Sequence, residues 1–450
     1  MMIDKAYLDR IDASFKDILE TADSPSAREQ MEQLNARLLE ANFTMSGKPF
    51  PTFLKPLFVE KRMKDYIGKT TNTIMNCIEK VGDLFFSNPE MEKYFEMDPL
   101  DRELAQINPG YPRRVINGRL DAFLSEYGLK FLEFNCDSPC GMGWHDKLID
   151  LIQDVPAVKE LKAKHNAYYE PLLPNFTKML RNKNQQMGGP EKFTVAVATD
   201  WETTVRYDLE LVAEFLDKQP GIRSFFWDPR EGEYDGKTLK FNGEPVHVVF
   251  RDDIRDFTKE MEKSKPVLDA FKDNNICFLN PFSSRVGGLK CVLWFMTDEK
   301  SQHLFTKDEV KTIQETIPWT RFMKESNTEY KGKAVDLYPF VRENKDLFVL
   351  KPNAGYGGFG VTIGPDVSNA EWDKVLEQIA TGESWVVQEL AYIPTGDFPQ
   401  FTPDLGWKNK NININFFAYD GEFGGGIVRV SDDKIINVHQ GGGMIPFCYV

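Results

Sequence analysis

Apolar residues recur at helical spacing over Ser26 to Ala41 and Lys69 to Phe86, and the prolines at 49, 51 and 56 interrupt the pattern between them. Residues 1–105 therefore read as a helical region. From Tyr111 the period drops to two: RVINGRLDAFL and LKFLEFN are extended runs joined by SEYG, which predicts a hairpin. Helical stretches follow at Asp146 to Asp154 and Ala157 to His165, then NKNQQMGGPE, which has the composition of a linker. From Phe193 to about Thr297, FTVAVAT, RSFFW, VHVVF and ICFLN alternate with helical segments, the pattern of a small α/β unit. The last third, from about Lys307, holds a helix, the strand LFVLK, a glycine-rich loop, the strand GVTIG, a helix near Glu371 to Ile379, and the strands SWVVQEL, NININFFAY and GGGIVRV. The chain divides into 1–105, 106–190, 191–306 and 307–450, in a mixed α+β / α/β class without internal repeats.

The hairpin carries the first candidate chemistry. If SEYG contains the three-residue loop Glu126, Tyr127 and Gly128, with Gly128 at positive φ, then residue 125 faces 129. Counting outward, Asp121 lies opposite Glu133 and Arg119 opposite Asn135, all on one face. The other face takes Leu120, Ala122, Leu124, Leu132 and Phe134, while Phe123, Leu129 and Phe131 share the polar face. Two carboxylates facing each other out of water repel unless a cation lies between them. Asp, Glu and the Asn amide oxygen are hard donors of the kind Mg²⁺ accepts, so Asp121, Glu133 and Asn135 form a candidate metal set. A two-residue loop would instead turn Glu133 to the opposite face and dissolve the pair.

In LFVLKPNAGYGGFGVTIG, Gly355, Gly357 and Gly360 have GxGxxG spacing, but the dinucleotide fingerprint requires a helix straight after the glycines and FGVTIG is extended. A strand, a glycine loop and a second strand make a flap whose N–H groups can close over phosphates, with Lys351 at its base. The alternative is an ordinary glycine-rich hairpin. GxxxxGK[ST] and the kinase signatures are absent. SWVVQELA ends in Gln388, Glu389 and Leu390, suited to hydrogen bonds with an adenine edge, or else an ordinary core strand with polar residues at its end.

Composition narrows the class. Fifty-five Lys and Arg against 69 Asp and Glu give a net charge of −14, which argues against broad phosphate-backbone binding and hence against a nucleic-acid partner. The cysteines, Cys77, Cys136, Cys140, Cys277, Cys291 and Cys448, form no CxxC pair and fit a reducing compartment. The start, MMIDKAYLDRIDASFKDILE, reads as an amphipathic helix and not as a signal peptide, and no apolar run is long enough for a membrane span. A cytoplasmic protein without a membrane partner is expected.

Together these pieces resemble the ATP-grasp superfamily, and their order resembles its circularly permuted branch, typified by the synthetase domain of glutathionylspermidine synthase. RLDAFLSEYGLKFLEFNCDSP looks like that branch's metal hairpin, and NPFSSRVGGLK, IPWTRF, VLKPNAGYGGFGV, WVVQEL and GGGIVRVSDDKIINVHQGGG look like its nucleotide and substrate segments. The resemblance covers residues 105–450. It implies an ATP-grasp fold in circularly permuted order behind a helical N-terminal region, with ATP and Mg²⁺ as cofactors. It further implies Mg²⁺ on Asp121, Glu133 and Asn135, and nucleotide contacts from Lys351, Gly355, Tyr356, Gly357, Gly358, Gly360, Gln388, Glu389, Leu390 and Arg321, with Arg285 a further cationic candidate. The reaction implied is attack of a carboxylate on the γ-phosphate and capture of the acyl phosphate by an amine. Arg119, Arg429 and the run Gly441 to Gly443 would stabilise the oxyanion. The substrates expected are a small carboxylate and an amine, drawn from amino acids, peptides or polyamines. Glutathione and spermidine do not carry over, because CDSPCGMGWHD departs from the relative where substrate binds. A phosphotransferase sharing the nucleotide site, or a non-catalytic scaffold, are the rivals.

Overall fold

The computed structural model describes residues 2–21, 25–45, 47–91, 93–95, 97–324, 327–355, 357–401, 405–436 and 442–450. Helices lie where the period and the caps put them. Ala27–Glu40 begins on a capping box of Ser26 and Glu29, Lys307–Thr316 on Thr306 and Glu309, and Asn369–Ala380 on Ser368 and Glu371. In each, the serine or threonine hydroxyl and the glutamate satisfy opposite N–H groups of the first turn. The 25-residue helix Met63–Ser87 buries Met63, Ile67, Thr70, Ile74, Ile78, Val81 and Phe85, a stripe three and four residues apart. The presumed linker NKNQQMGGPE is a helix for half its length: Leu173–Gln186 runs through it, because Lys183 is buried and ion-paired to Asp420.

Three sheets position the site. The first is antiparallel, in the order Gly443–Ile445, Glu422–Ser431, Leu405–Tyr419, Asn117–Ser125, Gly128–Asn135. The long strand Leu405–Tyr419 shares one edge between two partners, Thr395–Phe401 along its first half and Asn117–Ser125 along its second. The second sheet is the expected small α/β unit, four parallel strands in the order Cys277–Leu279, Val248–Arg251, Phe193–Ala198, Ile222–Trp227. The third is the flap sheet, Thr320–Phe322, Trp385–Glu389, Phe348–Pro352, Thr362–Ile363, all antiparallel.

The N-terminal helices are built into these layers. Residues of Met63–Ser87 share one core cluster with the hairpin and the parallel sheet, and Leu57–Val59 pairs in parallel with Phe447–Tyr449 near the far end of the chain. The flap sheet has its own cluster, in which Leu350, Trp372, Trp385 and Val387 pack together. Among the described residues no helix is long and apolar enough to cross a membrane.

Candidate active site

The hairpin pairs Asp121 with Glu133 and Arg119 with Asn135, as expected, but by a different route. Ser125 pairs with Gly128 and Leu124 with Leu129, so the loop has two residues, Glu126 and Tyr127; Gly128 does take positive φ, +106°. A two-residue loop would have turned Glu133 away, had the ladder run on unbroken. A bulge at Leu132 restores it: Ala122 faces Phe131 and Asp121 faces Glu133, leaving Leu132 as the extra residue. The bulge also corrects the faces. Leu129 and Phe131 join Leu120, Ala122, Leu124 and Phe134 in the core instead of sharing the polar face.

Two carbonyls of the paired strands near the bulge are captured by side chains from other strands. Lys351 Nζ donates to Leu132 O at 3.1 Å, and Asn413 Nδ2 donates to Ala122 O at 3.1 Å. Lys351 and Asn413 thus reach the hairpin from 219 and 291 residues further along the chain.

Pairing continues the polar face across the sheet. Asn415 sits beside Asp121, which sits beside Glu133, and Phe417 beside Arg119, which sits beside Asn135. Arg119 Nε donates to Asp121 Oδ1 at 3.0 Å, and its Nη1 donates to Cys140 O at 2.9 Å. Arg429 Nη2 donates both to Asp121 Oδ2 and to Asn413 Oδ1, the latter at 2.9 Å. Burial alone would raise the Asp121 pKa, but Arg119 and Arg429 outweigh it and hold the carboxyl below its usual range. Glu133 is paired to Lys290 at 3.3 Å. The two carboxylates are thus already neutralised by three cationic side chains, so repulsion by itself does not demand a metal between them.

Their chemistry still fits one. Asp121, Glu133 and Asn135 present hard oxygens on one face, and Asn135 Nδ2 is buried without a hydrogen-bond partner, leaving its amide uncommitted. Among the described residues no group of three or more His, Cys, Asp or Glu side chains has metal-ligand geometry. A set of two carboxylates and an amide oxygen completed by phosphate is of the oxygen-rich kind Mg²⁺ favours.

The glycine loop lies between Phe348–Pro352 and Thr362–Ile363, which pair with each other: a strand, a loop and a returning strand, with no helix after the glycines. Gly357, Gly358 and Gly360 all have positive φ. A Cβ on Gly358 would come within 2.5 Å of Ile435 Cγ2, so conformation and close approach both require glycine there. Phe359, at the tip, is 70% exposed. Lys290 ties the loop to the hairpin, since its Nζ donates to Gly355 O as well as to Glu133. Lys290 N in turn donates to Asn353 O, and Asn353 Oδ1 accepts from Cys291 N.

Lys351 is 8% exposed, and burial lowers its pKa to about 8, against the pull of Glu133, while Lys290 adds to the fall. Its Nζ also donates to Gln388 Oε1 at 2.7 Å, and Gln388 Nε2 donates to Thr320 Oγ1 at 3.1 Å. The Gln388 side chain therefore serves Lys351 and is not free for an adenine edge. The Glu389 carboxylate is likewise engaged, by Tyr330 Oη and Lys331 Nζ, each at 2.8 Å. The N–H groups of Glu389 and Leu390 bond to Trp319 O and Leu347 O.

Arg321 departs furthest from expectation. It is fully buried, its Nε donates to Thr328 Oγ1, its Nη1 to Thr297 O and Thr320 O, and its Nη2 to the Glu299 carboxylate. Every guanidinium nitrogen is engaged by protein, and the side chain fastens Thr320–Phe322 to the end of the helix Cys291–Thr297 and the turn that follows it. Arg285 pairs with Asp101 and Asp137. Tyr356 and Gly441 lie outside the described residues. Sequence reading missed Lys290, Asn413 and Asn415. The first closes the segment NPFSSRVGGLK without being singled out in it, and the alternation in NININ placed both asparagines on one face.

No protein-family model matches the sequence. An ATP-grasp enzyme from Aspergillus thermomutatus is 25% identical over 221 residues, 45% of this chain and 44% of that protein. An uncharacterised protein of Mycobacterium tuberculosis is 25% identical over 189 residues, 39% of this chain and 31% of its own length. The chain thus spans about a third of the length of the first curated relatives it matches. The structure of a glutathione synthetase-like effector from Globodera pallida, in apo form, superposes with a TM-score of 0.61 at 11% sequence identity, covering 94% of this chain and 96% of the other. The protein has that glutathione synthetase-like fold.

Proposed function

We propose that this chain is an ATP- and Mg²⁺-dependent carboxylate–amine ligase of the ATP-grasp type, in circularly permuted order, which forms an amide through an acyl phosphate and releases ADP and phosphate. The observation that carries the reading is the convergence on one face of Asp121, Glu133 and Asn135 with two lysines that lead to the glycine flap. The likeness to a glutathione synthetase-like fold and to an ATP-grasp enzyme supports it.

Asp121, Glu133 and Asn135 would hold Mg²⁺, which when bound supplies charge neutralisation to the β- and γ-phosphates. Lys351, protonated at neutral pH, moves from Leu132 O and Gln388 to phosphate oxygen, and the N–H groups of the flap from Gly355 to Gly360 cover the nucleotide. Arg429 and Arg119 lie beside Asp121, where they can meet negative charge developing on the acyl group. The amine is drawn from amino acids, peptides or polyamines.

The test is turnover with acids and amines screened in pairs. ADP and inorganic phosphate should appear in equal amounts with an amide, and hydroxylamine should give a hydroxamate when the acid is supplied alone. AMP and pyrophosphate would sink the reading. ADP with a stable phosphorylated product, and neither amide nor hydroxamate, would make the protein a phosphotransferase.

A further inference from the structure

Asn280 lies outside both the hairpin and the flap, at the carboxyl end of the parallel strand Cys277–Leu279, and is 1% exposed. Its side chain nevertheless closes the open end of the metal hairpin. Asn280 Oδ1 accepts from Ile116 N at 3.0 Å and Asn117 N at 2.8 Å; its Nδ2 donates to Asn117 O at 2.7 Å, Cys136 O at 3.0 Å and Asp137 O at 2.9 Å. Two N–H groups on one side and three carbonyls on the other fix the orientation of the amide, since only its oxygen accepts and only its nitrogen donates.

The strand entering the hairpin is thereby tied to the strand leaving it where the ladder has run out. Asn117 is two residues from Arg119 and four from Asp121; Cys136 follows Asn135 directly. The clamp is itself held from behind. Arg251 Nε donates to Asn280 O at 2.8 Å, and Arg251 Nη2 bonds to the Asp137 carboxylate. Asn280 thus carries the position of the parallel sheet into the spacing of the hairpin strands.

We propose that Asn280 is a positioning residue for the metal set, holding Asn135 at the distance from Asp121 that lets the two share one cation; this rests on the metal reading above. A hydrogen bond made directly to a metal ligand is commonly worth ten- to a hundredfold in metal affinity or activity, and Asn280 acts one link further out, on the backbone next to Asn135. A residue that only stabilises the fold would lower thermal stability and leave metal affinity alone once the protein is folded.

The experiment uses the full chain with Mn²⁺ as the probe, titrated in the presence of a non-hydrolysable ATP analogue and followed by electron paramagnetic resonance. Amide hydrogen exchange of residues 133–137 is measured in parallel. Asn280→Ala removes both ends of the clamp. Asn280→Asp keeps the acceptor for Ile116 and Asn117 and sets a carboxylate oxygen against the three carbonyls, so one variant serves if the other does not fold. The expected result is a Mn²⁺ half-saturation at least about tenfold higher in the folded variant, with faster exchange at 135–137 and an unchanged circular-dichroism spectrum. Unchanged half-saturation in a folded variant overturns the positioning role and leaves the metal reading standing. Failure of the wild-type protein to bind Mn²⁺ with the nucleotide analogue overturns the metal reading and the role of Asn280 with it.

Discussion

Replacing Lys351 with methionine separates function from stability at one atom. The side chain is almost fully enclosed, and the fall of its pKa from 10.5 to about 8 corresponds to a folding cost of about 3 kcal/mol at neutral pH, taking roughly 1.4 kcal/mol per pH unit. Methionine has nearly the same length and removes that cost. Against this, Gln388 Oε1 and Leu132 O lose their donor. A buried acceptor left unpaired costs about 1 to 3 kcal/mol. Gln388 is fully buried and Leu132 only partly, so the first acceptor carries most of this loss. The two effects nearly cancel, with a small balance in favour of the variant. Melting temperature should therefore stay level or rise by a few degrees. Loss of a charge-assisted contact to phosphate, about 1.5 to 3 kcal/mol, should lower kcat/KM for ATP by roughly ten- to a hundredfold or more. Differential scanning fluorimetry and a coupled ADP assay measure the two quantities on the same preparation. The pH dependence has a defined sign. The folded value lies below the unfolded one, so between about pH 8 and 10.5 the unfolded chain holds the extra proton, and the wild type gains stability relative to the methionine variant as pH climbs through that window. Over the same rise the protonated lysine is lost, and wild-type kcat/KM for ATP should fall above about pH 8. A melting temperature lower by more than about 5 °C would refute the balance drawn from burial, and unchanged kcat/KM would remove Lys351 from the site.

Asp121→Asn and Glu133→Gln should each abolish Mg²⁺-dependent turnover while the circular-dichroism spectrum is preserved; activity that persists at saturating Mg²⁺ in either variant counts against the metal set. Arg321→Ala, by contrast, should lower the melting temperature by several degrees and leave the KM for ATP within about twofold, because its guanidinium is engaged wholly by protein; a large rise in KM would return it to the nucleotide site. Burial, followed by Asp256 and Asp253, pushes Asp252 up to about 7. Its stabilising contribution is therefore full below about pH 4 and lost as pH rises through 7. Asp252→Asn should melt above the wild type at pH 8 and converge on it near pH 4, and a constant difference across that range would contradict the assignment. Nucleotide should slow amide exchange at Gly357 to Gly360; exchange indifferent to ATP would deny the flap its role.

The bulge shows how legibility ran out. In GLKFLEFN the apolar residues fall on 129 and 131, then on 132 and 134, a slip of one in the period of two. That slip is the mark of a bulge, and with it a two-residue loop still brings Glu133 opposite Asp121. The expected pairing rested on a three-residue loop, so two departures from the true geometry cancelled. The signal was local and readable. The fates of Arg321 and Gln388 were not, because a polar side chain at a strand end looks alike whether it meets ligand or protein.

What the sequence determined by itself was whatever short-range physics decides: helices from apolar period and capping boxes, the parallel strands of residues 193–279 from their unbroken apolar runs, the positive φ of Gly128, and the presence of Asp121, Arg119, Glu133 and Asn135 on one hairpin. Tertiary structure alone decided which charges meet. Lys290 reaches Glu133 across 157 residues, Arg429 reaches Asp121 across 308, and Lys351 reaches Leu132 across 219. No periodicity encodes those distances. Each pair forms because closing the three sheets brings the two side chains out of water together, where an unpaired charge or carbonyl costs more than the ordering of its partner.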